Sequence, residues 1–220
     1  MIDARKISNL EGGLAAFYTL DGSHYFGTSV VALGDVNGDG ITDLAVGAYG
    51  DNDGGSYAGA VYVLFMNVTV IGAQKISNLH GGLSAFYTLD AYDQFGNSLA
   101  ALGDWNGDGI PDMAVGAYND NAVYIIFLNS DGTAGGMQKI SNSHGGLSSF
   151  YTLGSSDGFG SSLAAIGDLN SDGIADLAVG ATGSPKSIYN VLPADYESGG
   201  ALYIRFMTAR VAVGARKRDV

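Results

Sequence analysis

The sequence predicts an all-β protein built from four-stranded, antiparallel β-propeller blades, with three blades in the 220-residue chain. Three observations lead to this prediction. Four short motifs recur three times in one register, and the apolar runs near them have the length of strands. Glycine contributes 35 residues, about twice its ordinary share. So much glycine is typical of short strands that are joined by many tight turns.

The repeat is defined by motifs that keep a constant spacing. Lys-Ile-Ser begins at residues 6, 75 and 139, Phe-Tyr-Thr-Leu at 17, 86 and 150, Phe-Gly at 26, 95 and 159, and Ala-Val-Gly at 45, 114 and 178. Such agreement indicates three copies of one unit. We expect one propeller domain, which consists of an N-terminal segment (1–20), blades at 21–77, 78–141 and 142–207, and a non-repeat tail (208–220).

Each unit contains four segments with the character of strands. In the first unit, residues 29–33, 44–48 and 60–66 are short apolar runs rich in β-branched and aromatic residues. Their nearly continuous apolarity predicts strands that are covered on both faces. Residues 73–77 are more polar and are predicted to form an outer edge strand. Four short strands per unit, stacked face to face, describe a propeller blade.

Between the first two predicted strands, every unit carries the pattern Asp-x-Asn-x-Asp-Gly-x-x-Asp. Calcium binds roughly six to eight hard oxygens, and oxygens at loop positions 1, 3 and 5 converge when glycine at position 6 permits a sharp turn. Position 7 offers a backbone carbonyl, and we expect the aspartate at position 9 to close the shell. The predicted ligands of three calcium ions per chain are Asp35, Asn37, Asp39, Ile41 and Asp43, then Asp104, Asn106, Asp108, Ile110 and Asp112, then Asp168, Asn170, Asp172, Ile174 and Asp176.

The competing interpretation is that these loops are ordinary hairpin turns without a metal. The residues Asn-Gly-Asp-Gly also favour a tight turn. A turn requires neither the first aspartate nor the last, and three crowded carboxylates repel one another. Because all four side-chain ligands recur three times, the pattern favours calcium. The loops hold nine of the 22 acidic residues, so much of the acidity is expected to serve cation binding.

The composition disfavours several classes of function. The formal charge of −12 opposes binding to nucleic acid or to anionic membrane surfaces. The chain has no cysteine, no apolar run long enough to span a bilayer and no apolar signal segment at its start. No familiar catalytic motif is present, and the equivalent residues His80 and His144 correspond to Glu11 in the first unit. We therefore expect no enzyme and no membrane insertion.

Phe-Gly at 26, 95 and 159, the acidic loops, the Ala-Val-Gly-Ala that follows them and residues 59–62 together resemble the FG-GAP repeats of integrin α-subunit propellers and their bacterial relatives. The resemblance covers residues 5–207. It implies structural calcium on the propeller face opposite the ligand-binding face, and adhesion through protein or glycan binding. It also implies an extracellular or cell-surface location, where millimolar calcium suits loops of modest affinity.

The sequence departs from that family in several places. Integrin heads are similar to seven-bladed rings, whereas this chain holds three units. The second unit has a shortened loop before Val123, and Arg205 stands where the other units have Leu64 and Ile126. Residues 182–200 form an unusually long third loop, and residues 211–220 match none of the three units.

Three blades are too few to close a propeller, which normally has about four to eight. We therefore predict a homodimer in which two chains form a six-bladed ring. The N-terminal segment repeats the fourth-strand motif, and we expect it to add the outer strand to the third blade of the other chain. The alternative is that the chain is a fragment of a longer propeller.

The sequence leaves other functions open beside adhesion. A glycan-binding propeller is favoured by tyrosines in the variable loops, namely Tyr49, Tyr57, Tyr118, Tyr189 and Tyr196. A third possibility is a repeat assembly without any ligand. An enzyme that uses the loop cations is disfavoured, because the predicted calcium sites supply their own ligands.

Overall fold

The computed structural model describes residues 4–183 and 201–205. In these ranges the chain forms eleven strands and three 3-10 turns. The strands are β1 (Val30–Gly34), β2 (Asp43–Ala48), β3 (Ala60–Met66), β4 (Val70–Ile76), β5 (Phe95–Gly103), β6 (Asp112–Ala117), β7 (Ala122–Leu128), β8 (Ala134–Ile140), β9 (Phe159–Ala165), β10 (Leu177–Ala181) and β11 (Ala201–Arg205). The 3-10 turns are Leu14–Ala16, Leu83–Ala85 and Leu147–Ser149. None of the helices in the described part is long and apolar enough to cross a membrane.

The strands form three antiparallel sheets in sequence order, β1-β2-β3-β4, β5-β6-β7-β8 and β9-β10-β11. The prediction of an all-β chain with blade-like sheets is confirmed. The outer strand of the first sheet begins at Val70 and ends at Ile76, so it starts three residues earlier than predicted. Within the described residues the third sheet has three strands. Most of the long third loop (182–200) and the tail (208–220) lie outside the described residues.

The N-terminal segment does not form a strand within this chain at residues 4–8. It follows the path of the two later inter-blade connections instead. The side chain of Asn78 accepts a hydrogen bond from the Leu89 amide at 2.7 Å, and that of Asn9 accepts one from the Leu20 amide at 2.6 Å. Addition of this segment to another chain's third blade stays a prediction.

The hydrophobic core lies between neighbouring sheets. Val61 and Val63 of β3 are fully buried and share one apolar cluster with Phe95 and Met113 of the second sheet. Val123 and Ile125 of β7 belong to the next cluster, which contains Phe159 and Leu177 of the third sheet. The other face of the first sheet has no neighbouring sheet in the part of the chain that the structure describes, and there Val46, Tyr62 and Leu64 are buried together with Leu14 of the N-terminal segment.

Neighbouring sheets also meet through their backbones, at a pair of glycines. A Cβ atom at Gly47 would overlap the carbonyl oxygen of Gly96, and one at Gly116 would overlap that of Gly160. The Ser29 hydroxyl donates to the Gly96 carbonyl at 2.9 Å, and Ser98 repeats this contact with Gly160 at 2.7 Å. The glycines of Ala-Val-Gly and of Phe-Gly are thus required by the close approach of two main chains.

Candidate metal centre

The three acidic loops (residues 35–43, 104–112 and 168–176, here called the calcium loops after the ion that they are predicted to bind) connect the first two strands of each sheet, as predicted. In the first loop the backbone curls around its first aspartate. The amides of Gly38 and Asp39 donate to Asp35 Oδ1 at 2.7 and 3.0 Å, and the Gly40 amide donates to Asp35 Oδ2 at 2.8 Å. Gly38 and Gly40 have φ of +80° and +84°, so both positions favour glycine.

Positions 3 and 5 are tied into the same turn. Asn37 Oδ1 accepts from the Asp39 amide at 2.9 Å, and Asp39 Oδ1 accepts from the Ile41 amide at 2.8 Å. The side-chain nitrogen of Asn37 donates to Asp39 Oδ2 at 3.1 Å. The side chains at positions 1, 3 and 5 are therefore brought together on one short turn.

The second and third loops repeat this geometry. The amide at position 5 lies 3.0 Å from Oδ1 of the first aspartate in both, at Asp104 and at Asp168. The third loop does so with Ser171 at position 4, where the other loops have glycine, although its φ is +62°. Because a serine accepts the left-handed conformation there, the loop shape does not depend on glycine at position 4.

The aspartate at position 9 differs from the others, since it is fully buried in all three loops. Asp43 Oδ2 accepts from the Val36 amide at 3.0 Å, and its Oδ1 accepts from the Met66 amide at 3.0 Å. Asp112 makes the equivalent bonds with Trp105 and with Leu128 at the end of β7, both at 3.0 Å. The position 9 carboxylate therefore links the calcium loop to the third strand, a role that the sequence analysis missed.

Burial raises the pKa of the Asp112 carboxyl to about 6, while hydrogen bonds from the Leu128, Trp105 and Asn106 amides act to lower it. The loss of solvation at this buried carboxyl therefore outweighs the effect of its amide hydrogen bonds.

The donor chemistry of the loops fits calcium, since every candidate ligand is a hard oxygen. Asp35 Oδ2 and both carboxylate oxygens of Asp39 each accept one of these hydrogen bonds, which leaves each of them a second lone pair. Among the residues that the structure describes, however, no three His, Cys, Asp or Glu side chains are gathered so that they could hold a metal ion. The structure thus brings positions 1, 3 and 5 onto one turn and directs position 9 to backbone amides.

Comparison with known families matches the FG-GAP repeat at residues 26–64 and 159–204, and the FG-GAP-like repeat at residues 104–179. Together these matches cover more than half of the chain and include all three calcium loops. The chain belongs to the FG-GAP repeat family.

Relatives of this FG-GAP chain include integrin α subunits. It is 36% identical over 172 residues to integrin alpha-PS5 of Drosophila melanogaster, which covers 75% of this chain and 16% of that protein. It is 35% identical to mouse integrin alpha-IIb over 177 residues, 77% of this chain and 16% of the relative. Integrin alpha-3 of Cricetulus griseus is 38% identical over 180 residues, 77% of this chain and 15% of the relative. The chain thus spans about a sixth of the length of these curated relatives.

The FG-GAP units also contain a buried lysine cluster that the sequence analysis did not find. Lys75 Nζ lies 2.7 Å from carboxylate oxygens of both Asp51 and Asp53, and the Tyr62 hydroxyl donates to Asp51 at 3.1 Å. In the second blade Lys139 Nζ lies 2.8 Å from Asp120, to which the Tyr124 hydroxyl donates. Burial of a charge is costly unless the charge is paired, and both lysines are paired with carboxylates here.

Tyrosines gather at the opposite ends of the strands from the calcium loops. Tyr25 stacks on Tyr49 with ring centroids 4.7 Å apart, and Tyr57 stacks on Tyr92 at 5.9 Å. Tyr25 and Tyr57 lie 6.4 Å apart, so the four rings form one continuous row, here called the tyrosine row.

Of the tyrosines predicted as glycan contacts, Tyr49 and Tyr57 belong to the tyrosine row. Tyr118 instead lines a cavity of about 100 Å³ between the second and third blades, with Asn121 and Ser155. Tyr189 and Tyr196 lie outside the described residues.

Proposed function

We propose that this chain is a calcium-binding FG-GAP propeller module for adhesion or protein interaction, outside the cell or at its surface. Its task would be binding rather than catalysis. The observation that carries the proposal is the shared geometry of the calcium loops, in which the backbone curls around the first aspartate with nearly equal hydrogen bonds in all three units. Membership of the FG-GAP family supports the role in interaction.

In this proposal each loop holds one calcium ion through the oxygens at positions 1, 3, 5, 7 and 9, which gives three ions per chain. Calcium supplies charge neutralisation and multidentate cross-linking to a turn that carries three carboxylates. Asp39 is exposed and Asp35 is half-buried, whereas Asp43 is fully buried. Asp35 and Asp39 would bind the ion from the solvent side, and Asp43 would bind it from the buried side while it also holds the loop on the sheet.

Addition of calcium is expected to raise the melting temperature of the chain. An ion that binds only the folded state adds about 2.7 kcal/mol per site at one hundred times its dissociation constant. Differential scanning calorimetry with calcium and with EDTA measures this effect. Isothermal titration should count three ions for the natural chain and two for Asp39→Ala. Identical melting curves with calcium and with EDTA would contradict the calcium proposal.

A second candidate function, glycan binding, is favoured by the tyrosine row. Tyr25 and Tyr92 are 49% and 58% exposed. Two large aromatic rings of a kind that often packs in a core therefore lie at the surface. Tyr25, Tyr57 and Tyr92 all have left-handed backbone, with φ of +53°, +53° and +71°. Such conformations are costly for bulky residues and tend to occur at functional sites. The acidic charge of the chain favours a neutral saccharide over an anionic one.

Substitution of the row's exposed members is expected to weaken glycan binding. An array of neutral oligosaccharides identifies the ligand, and Tyr25→Asn and Tyr92→Asn should each lower its affinity at least about tenfold, since aromatic contacts are lost. Asparagine is chosen because it tolerates the left-handed backbone. Phe150→Ala is the matched control, since Phe150 is 74% exposed elsewhere on the chain. An array without any bound saccharide would refute this function.

We further propose self-association, with two chains that complete a six-bladed ring. It is supported by apolar side chains that stay exposed on the first and third sheets although their counterparts between sheets are buried. This part of the proposal is independent of calcium binding and of the ligand.

A further inference from the structure

We propose that the first and third blades carry the two halves of one head-to-tail seam, and that a second copy of this chain fills both. The half on the third blade is the trailing face (Gly180, Leu202 and Ile204), and the half on the first blade is the leading face (Gly27, Val30 and Leu44). This inference rests on the proposed propeller module and adds to it the residues through which two chains meet.

The trailing face is exposed where its counterparts are buried. Leu202 and Ile204 are 69% and 49% exposed. The equivalent residues Val61 and Val63 are 0% exposed in the first blade, because the second blade covers them. Val123 and Ile125 of the second blade are likewise 0% exposed beneath the third. The third blade thus presents the surface that binds a following blade in the other two units.

The leading face shows the same contrast on the other side of the chain. Val30 is 58% exposed, whereas its equivalent in the second blade, Leu99, is 9% exposed against the first blade. Leu44 is half-buried, whereas its equivalent Met113 is fully buried. The first blade therefore presents the surface that packs against a preceding blade elsewhere in the chain.

The glycine pairs give the most specific evidence. At both inner seams a glycine of Ala-Val-Gly approaches the carbonyl of the next blade's Phe-Gly glycine. In the first and third blades, one glycine of each kind has no partner glycine opposite it within the described part of the chain. A Cβ on Gly27 would have nothing within 4 Å, and the atoms nearest to one on Gly180 belong to Ser161 and Ser162 of its own blade. Gly180 and Gly27 are therefore the unused halves of a third such pair.

The hydrogen bond between a serine hydroxyl and a glycine carbonyl, which joins neighbouring blades, also has an equivalent that a third seam could form. Ser29 and Ser98 donate their hydroxyls to the glycine carbonyl of the following blade. Ser162 occupies the equivalent position in the third unit. Across a completed seam its hydroxyl would donate to the Gly27 carbonyl of the second copy.

A second copy is the occupant that these features favour, because each chain carries both complementary halves. Two chains joined head to tail at two identical seams form a closed assembly of six blades, within the range of about four to eight. Three chains would give nine blades and exceed that range. The seam would repeat contacts that the chain already makes twice internally.

Light scattering after gel filtration tests the seam with the full chain. One chain has a mass of 22.5 kDa, so the natural protein is expected near twice that value, about 45 kDa. Ile204→Lys on the trailing face and Val30→Glu on the leading face should each yield a single chain, since both place a charge in the apolar seam. Val68→Glu is the matched control, because Val68 is 65% exposed in the turn before β4 and should leave the dimer intact.

A natural chain of 22.5 kDa at high micromolar concentration would overturn the seam. So would an Ile204→Lys variant that stays dimeric, or a mass that grows steadily with concentration, which indicates an open chain of subunits. Both substituted residues are exposed, so the variants should fold, and circular dichroism melting with and without calcium checks this. A single chain that still melts higher with calcium would refute the seam and leave the calcium proposal standing.

Discussion

Gly116→Ala is expected to destabilise the chain by roughly 3 kcal/mol or more, because the new methyl group cannot fit between two main chains. The Cβ atom would overlap the carbonyl oxygen of Gly160 and the hydroxyl of Ser98. The first of these is a backbone atom of the neighbouring blade, so relief requires that two sheets move apart. Such a movement would also open the apolar cluster that contains Val123 and Phe159. Urea unfolding measures the loss.

Gly180→Ala provides the matched control for this prediction when both variants also carry Val30→Glu, which is expected to keep the protein a single chain, because Gly180 lies in the proposed seam between two chains. Its Cβ would meet the Ser162 hydroxyl within its own blade, but no backbone atom of another blade. A loss of about 1 kcal/mol is expected for the folded chain, because the side chain of a serine can rotate. Equal losses at Gly116 and Gly180 would show that the approach of two sheets is not the cause.

Asp112→Ala is expected to cost about 4 kcal/mol even in EDTA, where no calcium is bound. The Asp112 carboxylate accepts hydrogen bonds from the amides of Trp105, Asn106 and Leu128, at 3.0, 3.2 and 3.0 Å. Its removal leaves these amides in or near the core without their acceptor, and each unsatisfied buried donor costs about 1–3 kcal/mol. Chemical unfolding in EDTA isolates this contribution from the effect of calcium.

Asp108→Ala separates the proposed binding of calcium by the loop from the stabilisation that its hydrogen bonds give without calcium. Asp108 is exposed at position 5 and accepts from the Ile110 amide at 2.8 Å. Its substitution should cost less than about 1 kcal/mol in EDTA, and it should remove one site's share of the stabilisation by calcium. If Asp112→Ala were instead as stable as the natural chain in EDTA, the position 9 aspartate would act through the metal alone.

The register of the motifs was sufficient to predict the strands and the position of the calcium loops. Near-continuous apolar runs such as 60–66 indicate a strand covered on both faces. β3 is buried over most of its length, on one face by the second sheet and on the other by the N-terminal segment. The outer strand was placed less well, because its first residues pair across a turn of only three residues, 67–69, that has little turn signal.

The buried lysine cluster was missed because its members come from separate motifs. Lys75 pairs in register with Tyr62, and Asp51 contacts both from the loop between β2 and β3. A usable signal was present, since an aspartate stands three residues after Ala48 and after Ala117. The tyrosine row carried no such signal, because it depends on left-handed backbone at Tyr25 and Tyr57 that the sequence does not indicate for tyrosine.

The tail shows a similarity that the prediction of a non-repeat segment did not use. Residues 213–217 read Val-Gly-Ala-Arg-Lys, and residues 71–75 of the first outer strand read Ile-Gly-Ala-Gln-Lys. The chain therefore contains two sequences, this one and residues 5–8, that resemble the outer strand. Deletion of either segment followed by a melting experiment distinguishes which of them the third blade uses.

The glycine pairs have a consequence for how such chains change over time. Because main-chain atoms set the distance between sheets, the angular step from one unit to the next is independent of most side chains around it. Whole units can then be gained or lost by gene duplication without any redesign of the junctions. The number of units encoded in one gene becomes a variable that evolution can alter separately from the geometry of the junction between two units.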